Sequence, residues 1–285
     1  MQVITTVTEV RDAVAQARTS GRKVALVPTM GALHEGHLSL IRAAGADGAL
    51  VVVSVFVNPT QFNDASDLDA YPRDLEADAA LAASAGADVV FAPSVEEMYP
   101  NGFSTSVRVA GITERWEGAE RGASHFDGVA LVVSKLFNIV APDRAYFGQK
   151  DAQQIAVVRR FAADLNQPVQ VCAAPTVRAA DGLALSSRNA RLSDGDRAAA
   201  LSLGASLRQA QAAVAAGMHD VASLASAAQS TLVSAGARPE YWAVVNPDTF
   251  EPLSVVTPGT PALAIVAAWA GDVRLIDNQA LIALS

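Results

Sequence analysis

Residues 23–37 read Lys-Val-Ala-Leu-Val-Pro-Thr-Met-Gly-Ala-Leu-His-Glu-Gly-His, and this stretch decides the fold. The valine-rich run Lys23–Pro28 is typical of a short buried strand, and His37–Ala44 has the apolar spacing of a helix. Between them, Gly31 allows the chain to turn tightly. A strand that passes through a tight turn into a helix is the repeating unit of a parallel α/β sheet.

The same alternation continues to about residue 175. Strands that alternate with helices pair in parallel, with a ligand crevice at their carboxyl ends. We therefore predict an α/β fold with a Rossmann-like, doubly wound parallel sheet. The further strands predicted are Ala49–Val57, Asp88–Ala92, Arg144–Gly148 and Pro168–Ala173, and the further helices are Asp74–Ala85, Gly128–Ile139 and Asp151–Leu165.

The pattern changes after about Val177. Two alanine-rich helical segments are followed by three strand-like runs, which predicts a smaller α+β domain. We expect a first domain of residues 1–176 and a second of residues 177–285. The predicted helices of the second domain are Asp194–Ala216 and Val221–Ser234, and its strands are Glu240–Asn246, Ala262–Ala270 and Val273–Asp277.

Composition narrows the class of protein. The 285 residues carry a formal net charge of −8, which argues against a broad surface for nucleic acid or an anionic membrane. The longest apolar runs fall far short of the ~20 residues that a membrane span needs. The single cysteine, Cys172, excludes an internal disulfide and fits a reducing compartment. With no recognisable signal peptide, we expect a cytoplasmic protein.

The turn that ends at His37 carries the clearest chemical signal. A helix N-terminus presents unpaired N–H groups that suit phosphate. His34 and His37, three residues apart, can face one side and stabilise charge on a pentacoordinate phosphorus and a departing pyrophosphate. We expect Gly36, which has no Cβ, to let the backbone approach a ligand.

Two other interpretations of the histidine pair stay open. His-x-x-His is half of a common zinc site, but Cys172 is the only thiol, and neither His125 nor His219 has motif-like spacing to it. The pair could also be core or surface histidines without a catalytic role. The Gly-Lys-Ser/Thr signature of a Walker loop is absent from the chain.

Several polar segments follow predicted strands. Gln61 follows the second strand, and Gly148-Gln149-Lys150-Asp151 follows another, with Gln154 in the next helical turn. Lys150 supplies a point charge where a phosphate is expected. His125-Phe126-Asp127-Gly128 is expected to precede a helix that contains Lys135. Any one of these segments could be structural, but their shared position at strand ends favours a common site.

Two further features bear on phosphate and magnesium. The polar loop Leu185-Ser186-Ser187-Arg188-Asn189 offers hydroxyls and a guanidinium that can clamp a triphosphate, although a solvated linker would read similarly. Asp78 is a candidate magnesium ligand, and the remaining metal ligands are unknown.

Five segments in this order resemble the pantoate–β-alanine ligase (pantothenate synthetase) family: PTMGALHEGH, SVFVNPTQF, YPRDLEAD, HFDGVALVVSKLFNIVAPDRAYFGQKD and LSSRN. The His-x-Gly-His pattern is shared with a larger nucleotidyl-transfer superfamily. The resemblance runs through residues 24–191. It implies ATP- and Mg²⁺-dependent condensation of (R)-pantoate with β-alanine through a pantoyl adenylate, releasing AMP and pyrophosphate. It also implies a homodimer in which residues 1–176 bind ATP and pantoate and residues 177–285 form a lid.

The resemblance also assigns roles to residues. His37 becomes the catalytic proton donor, and we expect His34 and Lys150 to share the charge of the phosphates with it. Gln61 and Gln154 would hold pantoate, Gln61 also lying next to β-alanine. The implied ATP-binding residues are Met30, Gly31, Ala32, Leu33, His34, Glu35, Gly36, His37, Gly148, Gln149, Lys150, Asp151, Val177 (through its backbone), Leu185, Ser186, Ser187 and Arg188.

Two positions depart from the family pattern. The family usually has Glu at Gln149, which puts a charge-based role there in doubt, and commonly Met at Leu185, a nearly isosteric change. Two other functions remain as alternatives. One is a nucleotidyltransferase or adenylating synthetase for another small acid or for tRNA, although the net charge of −8 disfavours tRNA. The other is a non-catalytic module that senses ATP.

Overall fold

The computed structural model describes residues 1–63 and 68–283, which form two compact units. The first unit comprises residues 1–148 and 157–175, and the second comprises residues 149–156 and the chain from Thr176 onward. The division expected from the sequence, 1–176 and 177–285, differs from these units mainly in the segment 149–156. The functional roles expected for the two domains stay predictions.

A six-stranded parallel sheet forms the first unit, in the order β1-β4-β3-β2-β5-β6. The order reverses at β2, which pairs with β3 on one side and β5 on the other. Such a reversal is the usual ligand position in parallel sheets, at the carboxyl ends of the strands. The strands are β1 (Gln2–Ile4), β2 (Val24–Thr29), β3 (Leu50–Val55), β4 (Val89–Phe91), β5 (Arg144–Gly148) and β6 (Gln170–Ala174).

Helices connect these strands. The valines of β2 and β3 are buried apart from the partly exposed Val55, and Leu38 and Ile41 of α2 pack in the same core cluster as Val27. The helices are α1 (Val7–Thr19), α2 (Glu35–Gly45), α3 (Leu75–Ser84), α4 (Val95–Met98), α5 (Glu117–Arg121), α6 (Ala123–Val140) and α7 (Ala152–Asp164).

Five elements of the first unit differ clearly from the sequence prediction. Four of them, β1, α1, α4 and α5, were not predicted, although Thr6 and Glu9 form a capping box at the start of α1. Helix α6 begins at Ala123, so the segment 125–128, expected to precede the helix, lies inside it.

A three-stranded antiparallel sheet and two helices form most of the second unit. The helices are α8 (Asp194–Ala215) and α9 (Val221–Ser234), and the strands are β7 (Arg238–Val245), β8 (Ala262–Ala270) and β9 (Val273–Leu281). Their apolar side chains share one core, which includes Leu207, Leu232 and Val266. Strand β9 extends four residues past the predicted end at Asp277. The parallel α/β sheet with a separate smaller domain confirms the predicted fold class. None of the helices among the described residues is long and apolar enough to cross a membrane.

Candidate active site

The turn after β2 is wound into an unusual backbone conformation. Gly31 has φ of +89° and Ala32 has φ of +51°, a region that residues with a Cβ rarely occupy. The carboxylate of Asp78, on α3, accepts hydrogen bonds from the N–H groups of Ala32 at 3.0 Å and Leu33 at 2.7 Å. A Cβ on Gly31 would lie 2.7 Å from Asp78 Oδ2. Asp78 therefore stabilises the turn, and glycine at position 31 makes room for it.

His34 and His37 stack beside each other at the start of α2, with ring centroids 4.2 Å apart. His34 Nδ1 accepts from the N–H of Gly36 at 3.1 Å, and His37 Nδ1 accepts from the N–H of His34 at 3.3 Å. A neutral imidazole that accepts at Nδ1 carries its proton on Nε2. The backbone thus selects the tautomer in which Nε2 is the hydrogen-bond donor of each ring.

This arrangement bears on two expectations about the helix N-terminus. The N–H groups of Gly36 and His37 are not unpaired, because they donate to the side chain and the carbonyl of His34. A Cβ on Gly36 would lie 2.8 Å from His34 Cε1, so this glycine makes room for the His34 ring, and its approach to a ligand stays a prediction. The role of the histidine rings as donors to phosphate stays a prediction.

Glu35 is the exposed member of this segment. Its carboxylate hydrogen-bonds the guanidinium of Arg42, about two helical turns further along α2, and this bond lowers the pKa of Glu35. The side chain is therefore directed along the helix. The contact with ATP predicted for Glu35 stays a prediction.

Gln61 lies in the 3-10 turn Pro59–Gln61 after β3, and its side chain contacts Met30 in the turn after β2. Its Nε2 is 2.8 Å from Met30 Sδ, and its Oε1 accepts from Asn58 Nδ2 at 3.1 Å. Because Asn58 occupies the oxygen, Gln61 is oriented with its N–H₂ group toward Met30. The structure thus brings Gln61 next to the segment 30–37, as a common site requires.

A buried hydrogen-bond chain fixes Asn58 itself. Asn58 is 1% exposed, and its Oδ1 accepts from the hydroxyl of Tyr99 at 2.7 Å. Burial raises the pKa of Tyr99, so the phenol keeps the proton that it donates. Tyr99 and Asn58 therefore determine which way the Gln61 amide points.

Helix α6 supports the same turn from the other side. A Cβ on Gly128 would lie 2.4 Å from the carbonyl oxygen of Thr60, so only glycine permits this approach. Asn58 Nδ2 donates to the carbonyl of Gly128 at 3.1 Å, and His125 Nδ1 lies 2.9 Å from the carbonyl of Gln61. Lys135, further along α6, has its Nζ 4.8 Å from the ring centroid of Phe103, a cation–π contact.

Lys150 belongs to the second unit. It lies in the 3-10 turn Gln149–Asp151, directly after β5, and its Nζ is 3.9 Å from Asp151 Oδ1. Its side chain is 14% exposed. The amide of Asn278, on β9, donates to the carbonyl oxygens of Gln149 and Lys150, at 2.9 Å each. Gln154 follows in the first turn of α7, where it is half buried.

The segment 177–191 is ordered rather than a featureless linker. The N–H of Leu185 donates to the carbonyl of Val177 at 2.9 Å, so the Val177 oxygen, one of the backbone groups predicted for ATP, already has a partner. Ser186 caps the 3-10 turn Ser187–Arg191, accepting from the N–H of Arg188 at 3.3 Å. Ser187 and Arg188 are exposed at this turn.

Within the two described ranges, no three side chains of His, Cys, Asp or Glu gather in a way that could hold a metal ion. Asp78, considered as a magnesium ligand, is 4% exposed and uses both carboxylate oxygens for backbone N–H groups. The geometry assigns it to the turn after β2.

Sequence reasoning missed three residues that orient predicted site residues within their own units: Asn58 and Tyr99 in the first unit and Asn278 in the second. Asn58 precedes Pro59 and accepts from the N–H of Thr60, which is a common turn signal. Tyr99 contacts Asn58, 41 residues away in the chain, and Asn278 contacts Lys150, 128 residues away. No local sequence pattern predicts such contacts.

Comparisons with known proteins agree with this architecture. The family described as pantoate-beta-alanine ligase matches residues 2–280. The pantothenate synthetase of Rhizorhabdus wittichii is 51% identical over 282 residues, covering 99% of both chains. That of Corynebacterium glutamicum is 52% identical over 285 residues, covering 98% of this chain and 99% of the relative.

Solved structures are similar over the same length. Pantothenate synthetase from Thermus thermophilus superposes with a TM-score of 0.90 at 48% identity, covering 98% of this chain and 99% of that one. The pantoate-beta-alanine ligase of Francisella tularensis, crystallised with beta-gamma ATP and beta-alanine, gives 0.77 at 33% identity and covers 98% and 97%.

Proposed function

The chain belongs to the pantoate–β-alanine ligase family, and we propose that it carries out the family's ATP-dependent ligation through a pantoyl adenylate. As a member of this family it joins pantoate to β-alanine, with ATP as a substrate. The observation that carries the proposed intermediate is the turn after β2. There, the backbone sets both His34 and His37 as Nε2 donors, which suits charge that develops on phosphate.

In the first step, a carboxylate oxygen of pantoate attacks the α-phosphorus of ATP. An O–P bond forms, the bond to the β-phosphate oxygen breaks, and pyrophosphate leaves. The step needs alignment and charge neutralisation more than a protein nucleophile. His34 and His37 donate to phosphate oxygens, His37 in the proton-donor role, while Lys150, Ser186, Ser187 and Arg188 supply further donors and charge.

Pantoate would be held by Gln61 and Gln154. Support for Gln61 comes from its orientation, because Asn58 holds Oε1 and thereby leaves the N–H₂ group to donate. A carboxylate or hydroxyl oxygen is the complementary acceptor. Met30, which touches Gln61 Nε2 through sulfur, would line the same site.

In the second step, the β-alanine amine attacks the acyl carbon of the adenylate. The C–N bond forms, the C–O bond to AMP breaks, and the amine loses a proton. The mixed anhydride is open to hydrolysis, so water must be excluded while it exists. The lid role predicted for residues 177–285 would meet this need and stays a prediction.

Magnesium would enter as part of the nucleotide. Mg²⁺ is commonly bound by substrate phosphates with few protein ligands, and this fits a chain whose described residues offer no cluster of three ligands. The triphosphate would hold the ion, which supplies charge neutralisation there.

We also propose a cytoplasmic homodimer. The family resemblance supports the dimer, and the single cysteine, which cannot form an internal disulfide, supports a reducing compartment. Sedimentation equilibrium of the purified protein tests the dimer, with a mass near twice 29.5 kDa as the expected result.

A single-turnover assay tests the proposed adenylate. Enzyme in excess over ATP, with pantoate but no β-alanine, should release one pyrophosphate per ATP. Release that requires β-alanine would argue against a separate first step. Release that follows a different acid would overturn the substrate, and formation of ADP and phosphate would overturn attack at the α-phosphorus.

A further inference from the structure

Hydrogen bonds within the second unit fix the backbone of Lys150. Lysine has a flexible four-carbon stem, so the position of its charge depends on how firmly the base of the stem is fixed. Lys150 lies in a 3-10 turn of three residues, and such short turns have poorer internal hydrogen-bond geometry than α-helices. A hydrogen bond to this backbone from outside the turn would therefore restrict the positions that Lys150 Nζ can reach.

Asn278 supplies such hydrogen bonds. It is 6% exposed, and its side-chain amide donates one hydrogen bond to the carbonyl of Gln149 and another to that of Lys150, both at 2.9 Å. The two hydrogens of one NH₂ group are thus both used on carbonyls that flank the Lys150 N–H and Cα. This pair of bonds restricts the peptide orientation on both sides of the residue.

The strand that carries Asn278 is itself fixed. Its neighbour Asp277 is 5% exposed and forms a two-bond ion pair with Arg178, at 2.6 and 3.0 Å. Asp277 Oδ1 also accepts from the backbone N–H of Asn278 at 2.8 Å. Arg178 Nη1 donates as well to the carbonyl of Gly182, in the segment that leads to Ser186. These bonds therefore restrict the backbone position of Asn278.

We propose that Asn278 is a positioning residue for the ligation reaction, which places Lys150 for the phosphates of ATP by holding the carbonyls of Gln149 and Lys150. The proposal rests on the phosphate-binding role of Lys150 given above. It assigns Asn278 no contact with substrate. Its effect is exerted through Lys150, so it should appear in the use of ATP rather than of β-alanine.

The test is a double-mutant cycle on the full-length enzyme, using Asn278→Ala, Lys150→Ala and the double variant. A displacement of about 1 Å can reduce rates by about 10²-fold, so we expect Asn278→Ala to lower kcat/KM for ATP by about 10- to 100-fold. KM for β-alanine should stay within about twofold of its normal value on this account. Lys150→Ala should lose more, and the double variant should lose no more than Lys150→Ala within about threefold.

A neighbouring residue provides the control. Gln279 follows on the same strand and is half buried, and its amide donates to the adjacent carbonyl of Ala280. Gln279→Ala should retain the normal kcat/KM for ATP. Circular dichroism melting of every variant establishes that each is folded at the assay temperature.

Asn278→Asp keeps the proposal falsifiable if the alanine variant unfolds. The aspartate side chain has the size of asparagine, but it places a carboxylate oxygen next to the two carbonyl oxygens and donates no hydrogen bond. Asn278→Asp should therefore show the same selective loss of kcat/KM for ATP. Losses that multiply in the double variant, or normal use of ATP by either Asn278 variant, would overturn the positioning role. Normal activity of Lys150→Ala would instead overturn the phosphate role of Lys150, and the two failures are distinguishable.

Discussion

At the scale of the residue, tautomer control defines the chemistry of the histidine pair. Both Nδ1 atoms accept backbone N–H groups, which leaves Nε2 as the donor of each ring. Removing one hydrogen-bond donor to charge that develops in the transition state costs about 10²- to 10³-fold, so His37→Ala should slow pyrophosphate release by that factor. Single-turnover pyrophosphate release measures the effect, and His219→Ala, a histidine outside the site, should be unaffected. A His37→Ala rate within about threefold of normal would remove His37 from the first step.

Asp78 is a second residue whose replacement should affect both stability and activity. Asp78→Asn keeps the shape but places an amide N–H₂ group against one of the N–H groups of Ala32 and Leu33. An unsatisfied buried donor costs about 1–3 kcal/mol, so the free energy of unfolding should fall by that amount and kcat/KM for ATP should fall with it. Urea unfolding and steady-state kinetics check both effects. Glu76→Gln, exposed on the same helix, is the control, and unchanged activity in Asp78→Asn would contradict the assignment of Asp78 to the turn.

At the scale of the element, Gly128 determines how closely α6 approaches the turn that carries Gln61. Gly128→Ala would put a methyl group 2.4 Å from the Thr60 carbonyl, so backbone must move. Overpacking of this kind costs about 1–3 kcal/mol, and we expect KM for pantoate to rise together with a lower Tm. Gly195→Ala, in α8, is the matched control because its Cβ would meet nothing closer than 3.9 Å, and it should not lower Tm. Normal pantoate kinetics in Gly128→Ala would show that α6 does not set the position of Gln61.

Strands and helices could be predicted where a run of neighbouring residues carries the apolar pattern of the element. The valine-rich strands β2 and β3 and the helix α9 follow from composition and spacing, whereas the three-residue β1 is too short for a periodic pattern. Asn278 lay beyond the predicted end of β9. Its partners, like those of Tyr99, come from distant parts of the chain and depend on the assembled fold.

At the scale of the whole molecule, an acidic protein binds a polyanion with few cations. With a net charge of −8, the overall charge of the protein does not attract ATP, and the proposed binding relies on local donors such as the histidine rings and Lys150. ATP affinity should therefore depend on these groups more than on ionic strength. A fall in KM for ATP of more than about tenfold on lowering the salt concentration from 200 to about 20 mM would contradict this view.

The central claim is that the pantoate carboxylate attacks the α-phosphorus. Its most direct test uses pantoate labelled with ¹⁸O in both carboxylate oxygens, followed by mass spectrometry of the products. If the adenylate forms and β-alanine then displaces AMP, the bridging oxygen stays with phosphorus. We predict one ¹⁸O in every AMP formed and none in pyrophosphate. Unlabelled AMP, or label in inorganic phosphate, would contradict the account.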